Sequence, residues 1–342
     1  MEDAGIELHG RNVPGSGHRY ARRVPPPADP GLLVAAAANG DRRALARLIS
    51  IVEDGRDGAA DALRAAHPLG GGGYRIGVTG APGAGKSTLT DRLVGEIRAD
   101  GDTVAVLAVD PTSPFSGGAV LGDRVRMQDR VSDTGVYIRS MASRGHLGGL
   151  SAAAPRALAM LDAAGFPYLL IETVGVGQDE VEITRAADTT IVVVTPGWGD
   201  GIQAAKAGIL EIGDVFVVNK ADRAGVDDTV ADLRTMLTMG PDRAWTPPIV
   251  PTVAERGDGI TELWSAVVEH RGHLARTGLL DEGRRRRRRS ELEVALVAAF
   301  SRQAAELAAG GPGADLVARV EAGDLDPWTA AELLLAAAAD PA

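Results

Sequence analysis

Two short runs carry side chains suited to phosphate and purine chemistry. Gly80-Ala81-Pro82-Gly83-Ala84-Gly85-Lys86-Ser87 fits the pattern G-x-x-x-x-G-K-[ST], with Thr88 next in line. A glycine-rich turn lets backbone N–H groups converge on phosphate oxygens, and a helix N-terminus adds partial positive charge. Lys86 supplies a cation for the β- and γ-phosphates. The Ser87 hydroxyl is an oxygen ligand of the kind Mg²⁺ prefers. Far downstream, Asn219-Lys220-Ala221-Asp222 fits N-K-x-D. The Asp222 carboxylate suits the guanine N1–H and 2-amino group, a pair of donors that adenine lacks, and a buried carboxylate left unmatched is costly. The expected cofactors are GTP or GDP with Mg²⁺.

These runs act only if the flanking elements aim them. Residues 74–79 read as a short buried strand, and Leu89, Leu93, Val94 and Ile97 recur at helical spacing after Ser87. The loop is therefore strand, glycine turn, helix. Asn219 follows the apolar run 214–218, so it stands at the carboxyl end of a strand, where open parallel sheets hold ligands. Thr252, Val253 and Ala254, at the end of a later strand, are expected to complete the nucleotide pocket with Gly175.

Strands are expected near 74–79, 104–110, 136–141, 168–173, 189–195, 215–219 and 249–253, and helices near 86–99, 153–164, 202–212, 227–238 and 260–274. This alternation predicts an α/β fold, a P-loop nucleoside triphosphatase with a mostly parallel central sheet. Helical segments flank it. Residues 1–30 read as a disordered tail rich in Pro, Gly and Arg, and 31–72 as an N-terminal helical segment and linker. The nucleotide domain spans 73–275, and 276–342 form a C-terminal helical segment, periodic from about 290 and broken at Gly310-Gly311-Pro312-Gly313.

Further carboxylates are placed to serve a metal. Asp110 ends the second strand before Pro111, where it either faces the phosphate site and holds a Mg²⁺-bound water or initiates the turn before proline, and Asp123 lies in the charged, glycine-containing stretch 112–133. That stretch and 195–206 are expected to order around a γ-phosphate. The fourth strand ends in Glu172-Thr173-Val174-Gly175, where other GTPases carry D-x-x-G; Glu172 suits the metal's hydration shell and the Gly175 amide the γ-phosphate. Val176 stands where other GTPases place the glutamine that orients the attacking water, so slow intrinsic hydrolysis is expected. Lys206, in the helix after the Thr195–Gly201 loop, serves either a phosphate or the helix surface.

Composition excludes several classes. With no cysteine among 342 residues, disulfides, thiolate metal ligands and thiol redox chemistry are out, which suits a cytoplasmic location. A net charge of −10 argues against general nucleic-acid binding. No apolar run is long enough for a membrane span, and no signal-peptide core is present. Six arginines, Arg284 to Arg289, form one basic run before a helical pattern, flanked by Asp281, Glu282, Glu291 and Glu293. A solvated helix face with local ion pairs and a docking surface are both open readings.

Together, Gly80 to Thr88, Val109-Asp110-Pro111, Leu121 to Met127, Arg144 to Leu150, Glu172 to Gln178, Thr195-Pro196-Gly197 and Asn219 to Asp222 resemble, in order, the methylmalonyl-CoA mutase-associated GTPases (MeaB/ArgK/MMAA type). The resemblance covers roughly residues 31–340 and departs at Trp198 and Gly201. It implies a homodimeric, Mg²⁺- and GTP-dependent chaperone, with 276–342 as its dimerisation segment, that guards loading of adenosylcobalamin into an acyl-CoA mutase and assists removal of inactivated cofactor. It further implies that Asp110, Asp123 and Glu172 serve the metal and switch network and that Lys206 belongs to a third switch. Lys86, Glu172 and Lys206 are the expected catalytic residues. The rival readings are a transport-associated ATPase or kinase, disfavoured by Asp222, and a nucleotide-dependent metallochaperone, which wants a His-rich or Cys tract that six scattered histidines do not supply. Direct cobalamin binding through D-x-H-x-x-G is also disfavoured, because Arg144 stands two residues before His146.

Overall fold

The computed structural model describes residues 29–111, 130, 132–143, 153–173, 185–197, 211–240 and 243–339. Seven strands form one sheet: β1 (Tyr74–Gly80), β2 (Val104–Pro111), β3 (Val136–Ser143), β4 (Tyr168–Thr173), β5 (Thr189–Val194), β6 (Val215–Asn219) and β7 (Ile249–Thr252). Their order is β3-β2-β4-β1-β5-β6-β7, and every pairing is parallel. The sheet expected to be mostly parallel is therefore parallel throughout the described residues. Strands buried on both faces need no polar alternation, which is why β4 and β5 read as continuous runs and are buried at every position.

Helices cover both faces. The described ones are α1 (Pro30–Ala38), α2 (Arg42–Glu53), α3 (Ala59–Ala66), α4 (Lys86–Ala99), α5 (Ala153–Ala163), α6 (Val226–Met239), α7 (Ile260–Thr277), α8 (Leu279–Ala309), α9 (Gly311–Glu321) and α10 (Pro327–Ala339). Successive strand side chains point to opposite faces. Val104 and Val106 join Ile76, Val78, Leu170, Ile191 and Val193 against α4 and α7, while Ala105, Leu107, Val109, Leu169 and Ile171 pack with α2, α3 and α5. The N-terminal helices thus share one core with the sheet, through Leu45, Leu48, Ile49 and Val52. Burying each such Leu, Ile or Val side chain stabilises by about 1.5–3 kcal/mol.

β1 is central, and the chain reverses its direction of travel around it, passing to β2 and β3 on one side and β5, β6 and β7 on the other. This makes the carboxyl ends of β1, β4, β5 and β6 the crevice where ligands enter an open parallel sheet.

At the opposite end of the sheet lies a buried polar network. Thr189 Oγ1 bonds both Tyr74 Oη and His270 Nδ1, the latter at 2.8 Å, and His270 Nε2 stands 3.6 Å from Asp214 Oδ1. Burial pushes His270 down to about 4, helped by neighbouring His273, and burial pushes Asp214 up to about 6.

The C-terminal helix starts earlier than its apolar periodicity suggested: α8 begins at Leu279 and contains the whole arginine run. Two of the six arginines turn inward. Arg287 pairs with Asp188 and donates to the Ala186 carbonyl at 3.0 Å, and Arg284 reaches the Gly72 carbonyl at 3.4 Å. Glu291, one turn on, stands 3.7 Å from buried Arg75. Spacing of three and four residues puts 284, 287 and 291 on one helix face, and that face is clipped to the base of the sheet. Arg285, Arg286, Arg288 and Arg289 remain exposed.

Candidate nucleotide-binding site

The glycine turn links the end of β1 to the start of α4. Gly85 occupies the position before α4 at φ 95° and, as a glycine, offers no side chain to cap the first turn. The first N–H groups of a helix have no intrahelical acceptor, which makes a helix start after a glycine turn a place where an anion is favoured. Gly80 has φ 137°, and a Cβ there would collide with the Val193 carbonyl of β5. At Gly85 a Cβ would collide with the Asn219 side-chain amide. Glycine at both positions is thus set by close approach of neighbouring segments as well as by backbone conformation. Ala81, Pro82 and Gly83 form the exposed crest of the loop, and Ala84 is buried beneath it.

Lys86 is buried, and its ammonium bonds the carbonyls of Gly80 at 2.8 Å and Ala81 at 3.0 Å. The cation therefore lies folded along the crest. Ser87, also buried, donates from Oγ to Glu172 Oε1 at 2.5 Å. Glu172 enters from β4, where it is paired in register with Val78 of β1. A hydroxyl and a carboxylate from different elements thus converge just inside the helix N-terminus. This hard oxygen pair beside a phosphate cradle fits Mg²⁺, which takes one or two protein oxygens and leaves the rest to phosphate and water. Thr88 follows in the first turn of α4, half-buried.

The base-reading run is joined to the phosphate loop by direct bonds. Asn219 Nδ2 donates to the Ala84 carbonyl at 2.7 Å. Its Oδ1 accepts from Thr252 Oγ1 and from the Ala254 amide, each at 3.1 Å. Parallel pairing of β6 with β7 sets Asn219 opposite Thr252 and brings these loops side by side. Lys220, at φ 60°, donates to the Gly83 carbonyl at 2.7 Å. A non-glycine residue at positive φ is uncommon, and here the bend carries the chain from β6 across the loop crest. Asp222 stands exposed two residues on, its carboxylate free of the core. Val253 and Ala254 are buried in the adjoining turn.

Gly80 to Thr88, Glu172, Asn219, Lys220, Asp222 and Thr252 to Ala254 thus gather at the carboxyl end of the sheet. Asp110 belongs to the end of β2, level with them, but its side chain lies outside the described residues. Asp123, Gly175 and Lys206 lie outside the described residues altogether, as do Val176 and most of the stretches 112–133 and 195–206.

One contact was missed in the sequence. Arg92, two turns into α4, donates from Nε to the Ala254 carbonyl at 2.9 Å and from Nη2 to the Glu255 carbonyl at 2.6 Å. Only its placement on the flank of the apolar stripe Leu89–Leu93 hinted at a role.

Comparison with known proteins agrees with this geometry. The family described as methylmalonyl-CoA mutase-associated GTPase MeaB matches residues 45–307. A protein of Pyrococcus abyssi is 47% identical over 307 residues, spanning 89% of this chain and 95% of its own length. The GTPase ArgK of Escherichia coli is 37% identical over 256 residues, or 72% of this chain and 77% of that one. The crystal structure of a protein titled LAO/AO transport system kinase superposes with a TM-score of 0.64 at 27% identity, covering 92% of this chain and 99% of that one. The chain belongs to the methylmalonyl-CoA mutase-associated GTPase family MeaB, and its reaction is the hydrolysis of GTP.

Proposed function

We infer that this GTPase is a Mg²⁺-dependent chaperone of an adenosylcobalamin-dependent acyl-CoA mutase, gating cofactor loading and reactivation. The observation that carries this reading is the family match across residues 45–307, which takes in both the phosphate loop and the base-reading run. Gly80 to Thr88 would cradle the triphosphate, with the Lys86 ammonium leaving the crest carbonyls for phosphate oxygens. Asp222 would read guanine, with Asn219 and the Thr252–Ala254 turn fixing the wall beside it. Ser87 and Glu172, with Asp110 and Asp123, would hold Mg²⁺, which when bound neutralises charge on the β- and γ-phosphates. Gly175 and Lys206 complete the proposal on the γ-phosphate side.

Hydrolysis needs little covalent chemistry from the protein; positioning and charge stabilisation supply the rate. With Val176 in place of a water-orienting glutamine, the site is expected to await geometry from a partner. The mutase would supply it by ordering 112–133 and 195–206.

A homodimer through the C-terminal helices belongs to the same proposal. α8 buries none of its residues, and Leu292, Val294, Leu296, Val297 and Phe300 are exposed along it. An apolar patch of that kind marks an interaction surface. No helix among the described residues is long and apolar enough to cross a membrane.

The test is reactivation. A mutase inactivated by oxidised cobalamin should recover turnover with this chain, GTP and fresh adenosylcobalamin, and should not recover with GDP. Equal recovery with GTP, GDP or no protein would refute the chaperone role.

A further inference from the structure

We propose that Arg92 is a positioning residue for guanine recognition, which clamps the base-side turn to the helix that carries the phosphate loop. The proposal rests on the nucleotide-site reading above and adds to it a residue outside every nucleotide-binding motif. Two consecutive carbonyls, Ala254 and Glu255, are held by one guanidinium at 2.9 and 2.6 Å. A planar fork with several donors can do this, whereas the single ammonium of lysine is a point charge.

The clamp closes a ring of contacts. Ala254, pinned through its carbonyl by Arg92, donates its own amide to Asn219 Oδ1. Asn219 in turn holds the Ala84 carbonyl of the phosphate loop, and α4 leads from that loop back to Arg92. Ala254, Asn219 and Thr252 are all buried, so a shift of the turn cannot be absorbed by solvent. Below the clamp, the turn is closed by Val253, whose amide bonds the Asp258 carbonyl and whose carbonyl accepts from Arg256 and Gly257. These bonds shape the turn but do not tie it to α4. Arg92 is the described side chain that does so from α4, and it fixes the distance between the two halves of the nucleotide site.

Loosening this ring should harm what depends on the base more than what depends on phosphate. The experiment is competition of GDP and ADP against a labelled guanine nucleotide, on the full chain, for the wild type, Arg92→Ala, Arg92→Lys and Asp222→Asn. Arg92→Ala should weaken GDP about tenfold and change ADP less than about twofold, the loss expected when charge-assisted bonds are removed from one side of a site. Arg92→Lys, which keeps the stem packing and one donor group, should fall between, and it carries the test should the alanine variant not fold. GDP and ADP weakened equally would show a general role in the helix and overturn the proposal. So would an unchanged GDP/ADP ratio in both Arg92 variants while Asp222→Asn collapses it. A wild type with no preference for GDP over ADP would overturn the base-site reading itself, and this proposal with it.

Discussion

Two side-chain contacts are proposed to carry the site's chemistry. Ser87 Oγ lies 2.5 Å from Glu172 Oε1, and Lys86 rests on the Gly80 and Ala81 carbonyls. Both groups already stand beside the phosphate loop, and each exchanges a protein partner when a ligand binds. Ser87→Ala would remove the proposed metal ligand and leave Glu172 without that donor. Its Mg²⁺-dependent GTP turnover should fall by about 10²-fold or more while the fold survives, as removal of one charge-stabilising group does elsewhere; turnover at the wild-type level would contradict the assignment. Asp222→Asn exchanges an acceptor for an amide, so guanine should lose and xanthine gain, moving the GDP-to-XDP preference by about 10²-fold. Displacement of labelled GDP by XDP reads this directly, and a ratio unmoved by the substitution would remove Asp222 from the base site. Residues of this kind were legible in the sequence because each sits in a short motif whose spacing is the geometry. Arg92 was not, since its partners lie more than 160 residues away and a helix-surface arginine has no local signature.

Elements, rather than single residues, decide which substitutions the loop tolerates. Strands were read from apolar runs, because a parallel sheet covered on both faces leaves no polar alternation to confuse the pattern. The apolar periodicity of α8 begins only near 290, because the six arginines of its first turns carry no apolar pattern. What sequence could not show was that Arg287 has a buried carboxylate, Asp188, waiting at the start of β5. Glycines in the loop separate in the same way. At Gly80 a Cβ meets backbone of β5, which cannot move away; at Gly83, φ 74°, it meets nothing within 4 Å among the described residues. Gly83→Ala should therefore cost only the left-handed conformation, roughly 1–2 kcal/mol. Gly80→Ala adds a backbone clash and should cost about 3 kcal/mol or more. Urea denaturation of the two variants checks this, and equal costs would mean that β1 and β5 are not held as closely as described.

Across the whole molecule, nucleotide chemistry occupies one end of the sheet and a titratable network the other. His270 is 2% exposed, and its imidazole titrates near 4, below the ordinary 6.5. As pH falls through 6.5 the unfolded chain takes up a proton that the folded one refuses, so stability drops by up to about 1.4 kcal/mol per pH unit until about 4. Asp214 runs the other way. Raised to about 6, it is protonated in the folded state first, so stability rises as pH falls from 6 towards 3.8, though with a third of its side chain in solvent its share is smaller. His270→Gln should therefore lose less stability than the wild type between pH 6.5 and 4.5, by about 2 kcal/mol at most. Parallel pH profiles of the two melting curves would show that His270 is not held neutral. At the other end of the chain, Leu296→Glu with Phe300→Glu on α8 should convert a dimer to monomers by light scattering; an unchanged mass would place the dimer contact elsewhere. The central claim, a guanine-nucleotide site that waits for a mutase to complete it, is tested most directly by GTP turnover measured with and without an adenosylcobalamin-dependent acyl-CoA mutase. Slow turnover alone is expected, rising about tenfold or more with the mutase, up to the roughly 10³–10⁵ that one well-placed charge can supply. Turnover that is fast alone and unchanged by the mutase would contradict it.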